Sequence, residues 1–99
     1  MKINVSLIIP CYNEAKNLPF LINRCEKLIE EFPMEVILVD NGSTDNSEKI
    51  IAKHSEIKLV RVENNEGYGN GILEGLRNAK GEILAWTHAD LQTDPNDMI

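Results

Sequence analysis

At 99 residues the chain can hold one domain with a single core, near the lower end of what buries a comfortable fraction of its surface. Ten basic side chains against sixteen acidic ones give a net charge of −6, which excludes a sequence-independent nucleic-acid binder, since no basic surplus exists to displace phosphate counterions. Cys11 and Cys25 lack CxxC spacing and suggest neither a zinc site nor a disulfide framework, and the N-terminal apolar run Val5 to Ile9 is too short for a signal-peptide core or a membrane span; a reduced, cytoplasmic setting fits best.

Asn4-Val5-Ser6-Leu7-Ile8-Ile9-Pro10 reads as a first strand, nearly continuous in apolar character as a central parallel strand should be, with Pro10 as its stop. After a polar loop from Cys11 to Lys16, Asn17 is a candidate N-cap with Pro19 in the first helical turn. Leu18, Leu21, Ile22, Cys25, Leu28, Ile29 and Phe32 recur at three- and four-residue steps and predict an amphipathic helix to about Glu31, with Cys25 as a small core residue. Met34 to Asp40 is a second apolar strand, and it delivers a carboxylate at its end. Asn41-Gly42-Ser43-Thr44-Asp45 is a turn sequence in which Gly42 can take positive φ; Asp45 and Glu48 have capping-box spacing for a short helix to about His54. His54, in the last turn, reads as a structural or solvent residue.

Glu56 to Val62 alternates charge with aliphatics, which suits a strand nearer the sheet edge. The glycine-rich connection Glu63 to Gly71 leads into a third helix, with Ile72, Leu73, Leu76 and Ala79 as its apolar stripe and Gly81 as its terminator. Its glycines do not spell a dinucleotide fingerprint, which would follow the first strand; Gly71 and Gly75, four apart, are expected to let the helix approach the sheet closely. Glu82 to Thr87 reads as a fourth strand buried on both faces. It runs into His88-Ala89-Asp90, whose two-residue spacing sets an imidazole and a carboxylate on one side, and Asp94-Pro95 reads as the start of another helix.

The alternation of strands and helices calls for an α/β, Rossmann-like parallel sheet with right-handed crossovers and strand order 3-2-1-4. The first and fourth strands then flank the switch point at which ligands bind in open sheets. The loop after Pro10, Asp40 and the His88–Asp90 pair all reach that crevice. The chain has no GxxxxGK[ST] loop and no GxSxG nucleophile. A hard divalent cation, Mn²⁺ or Mg²⁺, held by few protein ligands and completed by diphosphate oxygens, is the physical alternative, acting as Lewis acid on a diphosphate leaving group.

Four stretches, Pro10-Cys11-Tyr12-Asn13-Glu14, Val39-Asp40-Asn41-Gly42-Ser43-Thr44-Asp45, Asn65-Glu66-Gly67-Tyr68-Gly69 and Ala89-Asp90-Leu91-Gln92-Thr93-Asp94-Pro95, resemble the successive motifs of family 2 glycosyltransferases with the GT-A fold. The resemblance spans nearly the whole chain. It implies a glycosyltransferase that moves a sugar from a nucleotide-diphospho-sugar donor, with metal assistance and inversion, and it makes residues 1–99 the donor-binding part. The nucleotide-binding positions it implies are Pro10, Tyr12, Asn13, Glu14, Asp40, Gly42, Gly67 and Ala89, with Asp40 on the base, and the metal positions are Asp90, His88 and Gln92. Asp90 matches the last acid of the DxD-type motif. His88 stands where the family commonly has the first acid, and a neutral imidazole brings no charge to attract a hard cation. Gln92 resembles a position of the dolichyl-phosphate mannose synthase-like subgroup, which implies a polyprenyl phosphate as acceptor, a glycan being the other expectation, and a parent enzyme at the cytoplasmic face of the membrane.

In the family the acceptor site and catalytic base follow the DxD strand, so both are expected beyond Ile99. The chain alone is expected to be inactive, and to self-associate through the strand edge that a second half would cover. A non-catalytic nucleotide-binding module is the alternative, retaining Asp40 and the Pro10 loop without needing Asp90. A receiver-like signalling domain fits less well, because it needs an acidic pair after the first strand, where this chain has Pro10-Cys11-Tyr12.

Overall fold

A computed structural model describes residues 4–64 and 67–86, with Tyr68 and Trp86 described by their backbone alone. The elements follow in the order β1 (Val5–Cys11), α1 (Leu18–Glu31), β2 (Met34–Asn41), α2 (Ser47–Ala52), β3 (Lys58–Val62), α3 (Tyr68–Arg77) and β4 (Ile83–Trp86). The four strands form one sheet in the order β3-β2-β1-β4, every pair parallel, as the alternation of elements requires.

Strand alternation divides the core between two faces. Leu7, Ile9 and Cys11 of β1 with Val36 and Leu38 of β2 pack under Leu18, Leu21, Ile22, Cys25 and Leu28 of α1 and Ile51 of α2. Ile8, Ile37 and Val39 point the other way, against Leu76 and Ala79 around α3. That second face is thin, because α3 sits almost on the strands. A Cβ on Gly75 would overlap Ile8 Cγ2 and lie 3.0 Å from Val39 Cγ2, and one on Gly71 would lie 3.1 Å from both Pro10 Cβ and Asn41 Nδ2. The glycine pair therefore does what its spacing suggests. One position of the expected stripe is corrected: Leu76 and Ala79 pack on the core, but Leu73 is exposed, and the buried positions among the described residues of α3 are Gly71 and Gly75.

Other boundaries differ for identifiable reasons. Pro10 does not stop β1, which continues to Cys11 and keeps its register with β2 through Pro10 opposite Val39 and Cys11 opposite Asp40. Gly81 does not terminate α3, whose C-cap is Asn78. Gly81 instead passes against β1, where an added Cβ would stand 2.7 Å from the Ser6 nitrogen. Its N–H donates to Ser6 Oγ at 2.8 Å, and Ser6 Oγ–H donates to Glu35 Oε2 at 2.6 Å, which pins the entry to β4. Ile83 and Leu84, expected to be buried on both faces, are exposed, since no described element covers β4. No helix among the described residues is long and apolar enough to cross a membrane.

Replacing Gly75 by Val should lower stability by about 1–3 kcal/mol, since Ile8 and Val39 are fully buried and have nowhere to move. Gly69, with nothing within 4 Å of an added Cβ, is the control in the same helix. Urea midpoints measure both. A Gly75→Val midpoint equal to that of the control would show that α3 lifts off the sheet freely.

Candidate functional site

Parallel strands release their chains at one edge, where backbone groups lose their ladder partners and must find others. Here the loops after β1 and β2 satisfy one another. Three consecutive N–H groups after β1 donate to side chains of the second loop: Asn13 to Ser43 Oγ at 2.9 Å, Glu14 to Ser47 Oγ at 3.2 Å, and Ala15 to Asp45 Oδ2 at 3.2 Å. In return Asn13 Oδ1 accepts the Thr44 N–H at 2.9 Å. Asn13 holds φ at +50°, a left-handed conformation that Asn tolerates better than most residues. Because these three N–H groups are occupied, the loop offers an incoming ligand its side chains, chiefly the half-exposed Tyr12.

The expected capping box is not formed. Asp45 Oδ1 instead accepts the N–H of Ser47 at 2.9 Å and its hydroxyl at 2.6 Å, an i to i+2 turn that leaves Glu48 free to face β3. Asn17 likewise caps no backbone group; its Nδ2 donates to Glu14 Oε2 at 3.0 Å. Partial desolvation pulls the Asp45 carboxyl upward, but hydrogen bonds from the Ser47 hydroxyl, Ser47 N–H and Ala15 N–H outweigh it and hold its pKa below the ordinary value.

Asp40, at the end of β2, has no exposed surface. Its Oδ1 accepts the Ser43 N–H at 3.2 Å, and its Oδ2 accepts Nη1 of Arg61 at 2.6 Å, a residue that β3 sets directly opposite it. The hydrogen bond to Asp40 raises the guanidinium pKa above its already high value. Burial, and then the negative charge of Asp40, push the neighbouring Cys11 thiol far above its usual range, so it is a core residue with no thiolate chemistry. Gly42 takes φ +74°, as its turn requires. Gly67, at φ +105°, begins α3 and is tied to β2 through Asn41, whose Nδ2 donates to the Gly67 carbonyl at 3.1 Å.

Pro10 and Asp40, at the ends of β1 and β2, and Tyr12, Asn13, Glu14, Gly42 and Gly67, on the loops, therefore all lie at one sheet edge. His88, Ala89, Asp90 and Gln92 lie outside the described residues. Sequence reasoning missed Arg61 and the acceptors Ser43 and Ser47. Arg61 carried one signal, a lone arginine near the end of a strand, but its meaning depends on the register with Asp40. His54, read as structural, sits 3.2 Å from Glu26 Oε2 of α1, away from this edge.

The chain matches the model of glycosyl transferase family 2 over residues 6–99. It is 38% identical over 102 residues to an undecaprenyl-phosphate 4-deoxy-4-formamido-L-arabinose transferase of Yersinia enterocolitica, covering 95% of this chain and 31% of that protein. It thus spans about a third of the length of the curated relatives it matches. Among solved structures, S. aureus TarS in complex with UDP-GlcNAc aligns with TM-score 0.79 and 32% identity, covering 89% of this chain and 27% of that one. The mannosyltransferase PcManGT of Pyrobaculum calidifontis, in complex with GDP-Man and Mn²⁺, aligns with TM-score 0.69 and 29% identity, covering 91% and 28%.

Two outcomes follow from the clasp between the loops. Asn13→Ala loses both the acceptor and the tolerance of positive φ and should cost about 1–3 kcal/mol; Asn13→Gly loses only the acceptor and should cost about 1 kcal/mol less, as read from denaturant midpoints. The Asp45 contribution is present above its unfolded pKa of about 3.9 and is lost as pH falls through the lower folded value. Asp45→Asn should flatten that part of the acid stability profile, and an unaltered profile would deny Asp45 the role.

Proposed function

The chain belongs to glycosyl transferase family 2, and on that premise we propose that it forms the donor-binding part of a transferase that moves a sugar from a nucleotide-diphospho-sugar to an acceptor, with inversion. The observation that carries this reading is the clasp of the loops after β1 and β2, which holds an exposed aromatic ring, Tyr12, on the same edge as the Asp40 carboxylate. A flat ring and a carboxylate acceptor at one edge suit a nucleobase, which needs a stacking surface and a hydrogen-bond partner. The TarS complex with UDP-GlcNAc and the PcManGT complex with GDP-Man support a nucleotide-sugar donor. The undecaprenyl-phosphate transferase of Yersinia enterocolitica favours a polyprenyl phosphate over a glycan as acceptor, and with it a place at the cytoplasmic face of a membrane.

The metal positions we assign, on the family resemblance of the stretch from Ala89 to Pro95, are Asp90, His88 and Gln92. A carboxylate, an imidazole and an amide oxygen form a donor set that fits Mn²⁺ better than Mg²⁺. The bound ion supplies charge neutralisation to the departing diphosphate. Asp40 and Tyr12 then hold the base, and the Pro10–Glu14 loop orients the nucleotide. The residue that deprotonates the acceptor belongs to the part of the relatives' length that this chain does not span.

Calorimetric titration with UDP, with and without Mn²⁺, tests the reading. Binding should require the metal; Asp90→Ala should abolish the metal dependence, and His88→Asp, which adds a hard anionic ligand, should tighten binding in Mn²⁺. UDP binding indifferent to Mn²⁺ would leave a metal-free nucleotide-binding module instead, and weaker binding by His88→Asp would make the histidine a native ligand.

A further inference from the structure

The carboxylate assigned to the base is closed. Asp40 is 0% exposed, one oxygen accepts a backbone N–H and the other accepts Nη1 of Arg61, so no face of it meets solvent. Arg61 is 27% exposed, and its Nη1 also reaches the Ser43 carbonyl at 3.3 Å, which lays the guanidinium across the mouth of the site. On its outer side stand two further carboxylates. Nε lies 3.5 Å from Glu48 Oε2 and 3.9 Å from Glu63 Oε1, and those side chains are 49% and 83% exposed. The guanidinium thus has one buried acid partner and two solvent-facing ones, and the N–H it gives to Asp40 stands where a ring N–H of a base would have to stand.

We propose that Arg61 is a displaceable latch on Asp40: a base bearing a ring N–H replaces the guanidinium on Oδ2, and the guanidinium transfers to Glu48 and Glu63. This rests on the nucleotide-site reading above and adds to it a specificity-determining residue. The base is selected by its ability to offer an N–H in exchange for that of Arg61, and a base without one leaves the latch shut. The exchange keeps both charges partnered throughout, which is what makes opening a buried ion pair tolerable.

The two tests have signs opposite to simple charge effects on an anionic ligand. Removing a cation should weaken UDP binding, yet Arg61→Ala, which removes the competitor for Asp40, should tighten it by roughly threefold or more in Mn²⁺. Removing anions should strengthen UDP binding, yet Glu48→Gln combined with Glu63→Gln, which removes the outer resting place, should weaken it by about two- to fivefold, the scale of exposed ion pairs. Glu48 and Glu63 are exposed, so the double variant keeps the test open even if Arg61→Ala fails to fold. UDP methylated at N3 of its base should show no gain on Arg61→Ala. Weaker UDP binding by Arg61→Ala, or unchanged or tighter binding by the Glu48/Glu63 variant, overturns the latch while leaving the nucleotide site intact. Wild-type protein that binds no UDP overturns the site and the latch together.

Discussion

A sheet of parallel strands buried on both faces has to send all its chains out at the same edge, and there the backbone loses the partners that the ladder supplied. The arrangement of this protein follows from that constraint. β1 and β2 stay in register to Cys11 and Asp40, so the loops that leave them start side by side. Each loop then answers the other's unpaired groups, with Ser43, Asp45 and Ser47 accepting from the first loop and Asn13 accepting from the second. Polar side chains that look like generic turn residues thereby fix the positions of Tyr12 and Asp40. Binding geometry and backbone satisfaction are the same problem here.

Most of the architecture was legible because it depends on short-range patterns. The continuous apolar runs ending at Ile9 and Val39, the three- and four-residue steps of α1 and the Gly71–Gly75 pair carry their meaning within a few residues. What was not legible depends on register. Glu48 has capping-box spacing from Asp45, yet it faces Arg61, because the strand beside it presents a cation there. Gly81 looks like a helix stop, and only the passage of its chain against Ser6 shows the close approach that needs a glycine. The candidate site positions from Pro10 to Gly67 could be placed on one edge from the strand pattern, whereas the closure of Asp40 by Arg61 required knowing that β3 aligns residue 61 with residue 40.

The relatives frame what such an edge can do. TarS and PcManGT, in complex with UDP-GlcNAc and GDP-Man, share the fold at TM-scores of 0.79 and 0.69, so the same strand arrangement accommodates two different bases. The sheet alone therefore does not determine which base is bound. In this chain the strand ends bring a buried carboxylate and a partly exposed arginine into contact, which is a narrower chemical description than the fold alone provides.

The close seating of α3 makes the two faces of the sheet respond differently to change. One face of the sheet is held by a broad cluster of aliphatic side chains from α1 and α2, the other by a helix that meets the strands largely through glycine. Ile8, Ile37 and Val39 are fully buried beneath that helix, so its position is fixed by backbone approach rather than by long side chains, and a side chain added at Gly71 or Gly75 has to displace the whole layer. The same helix begins at Gly67, which Asn41 ties to the end of β2. The glycines that seat α3 on the sheet thus also set where its first residue meets the loops of the strand ends, and a change in the depth of that seating would be felt at Asn41 and Gly67.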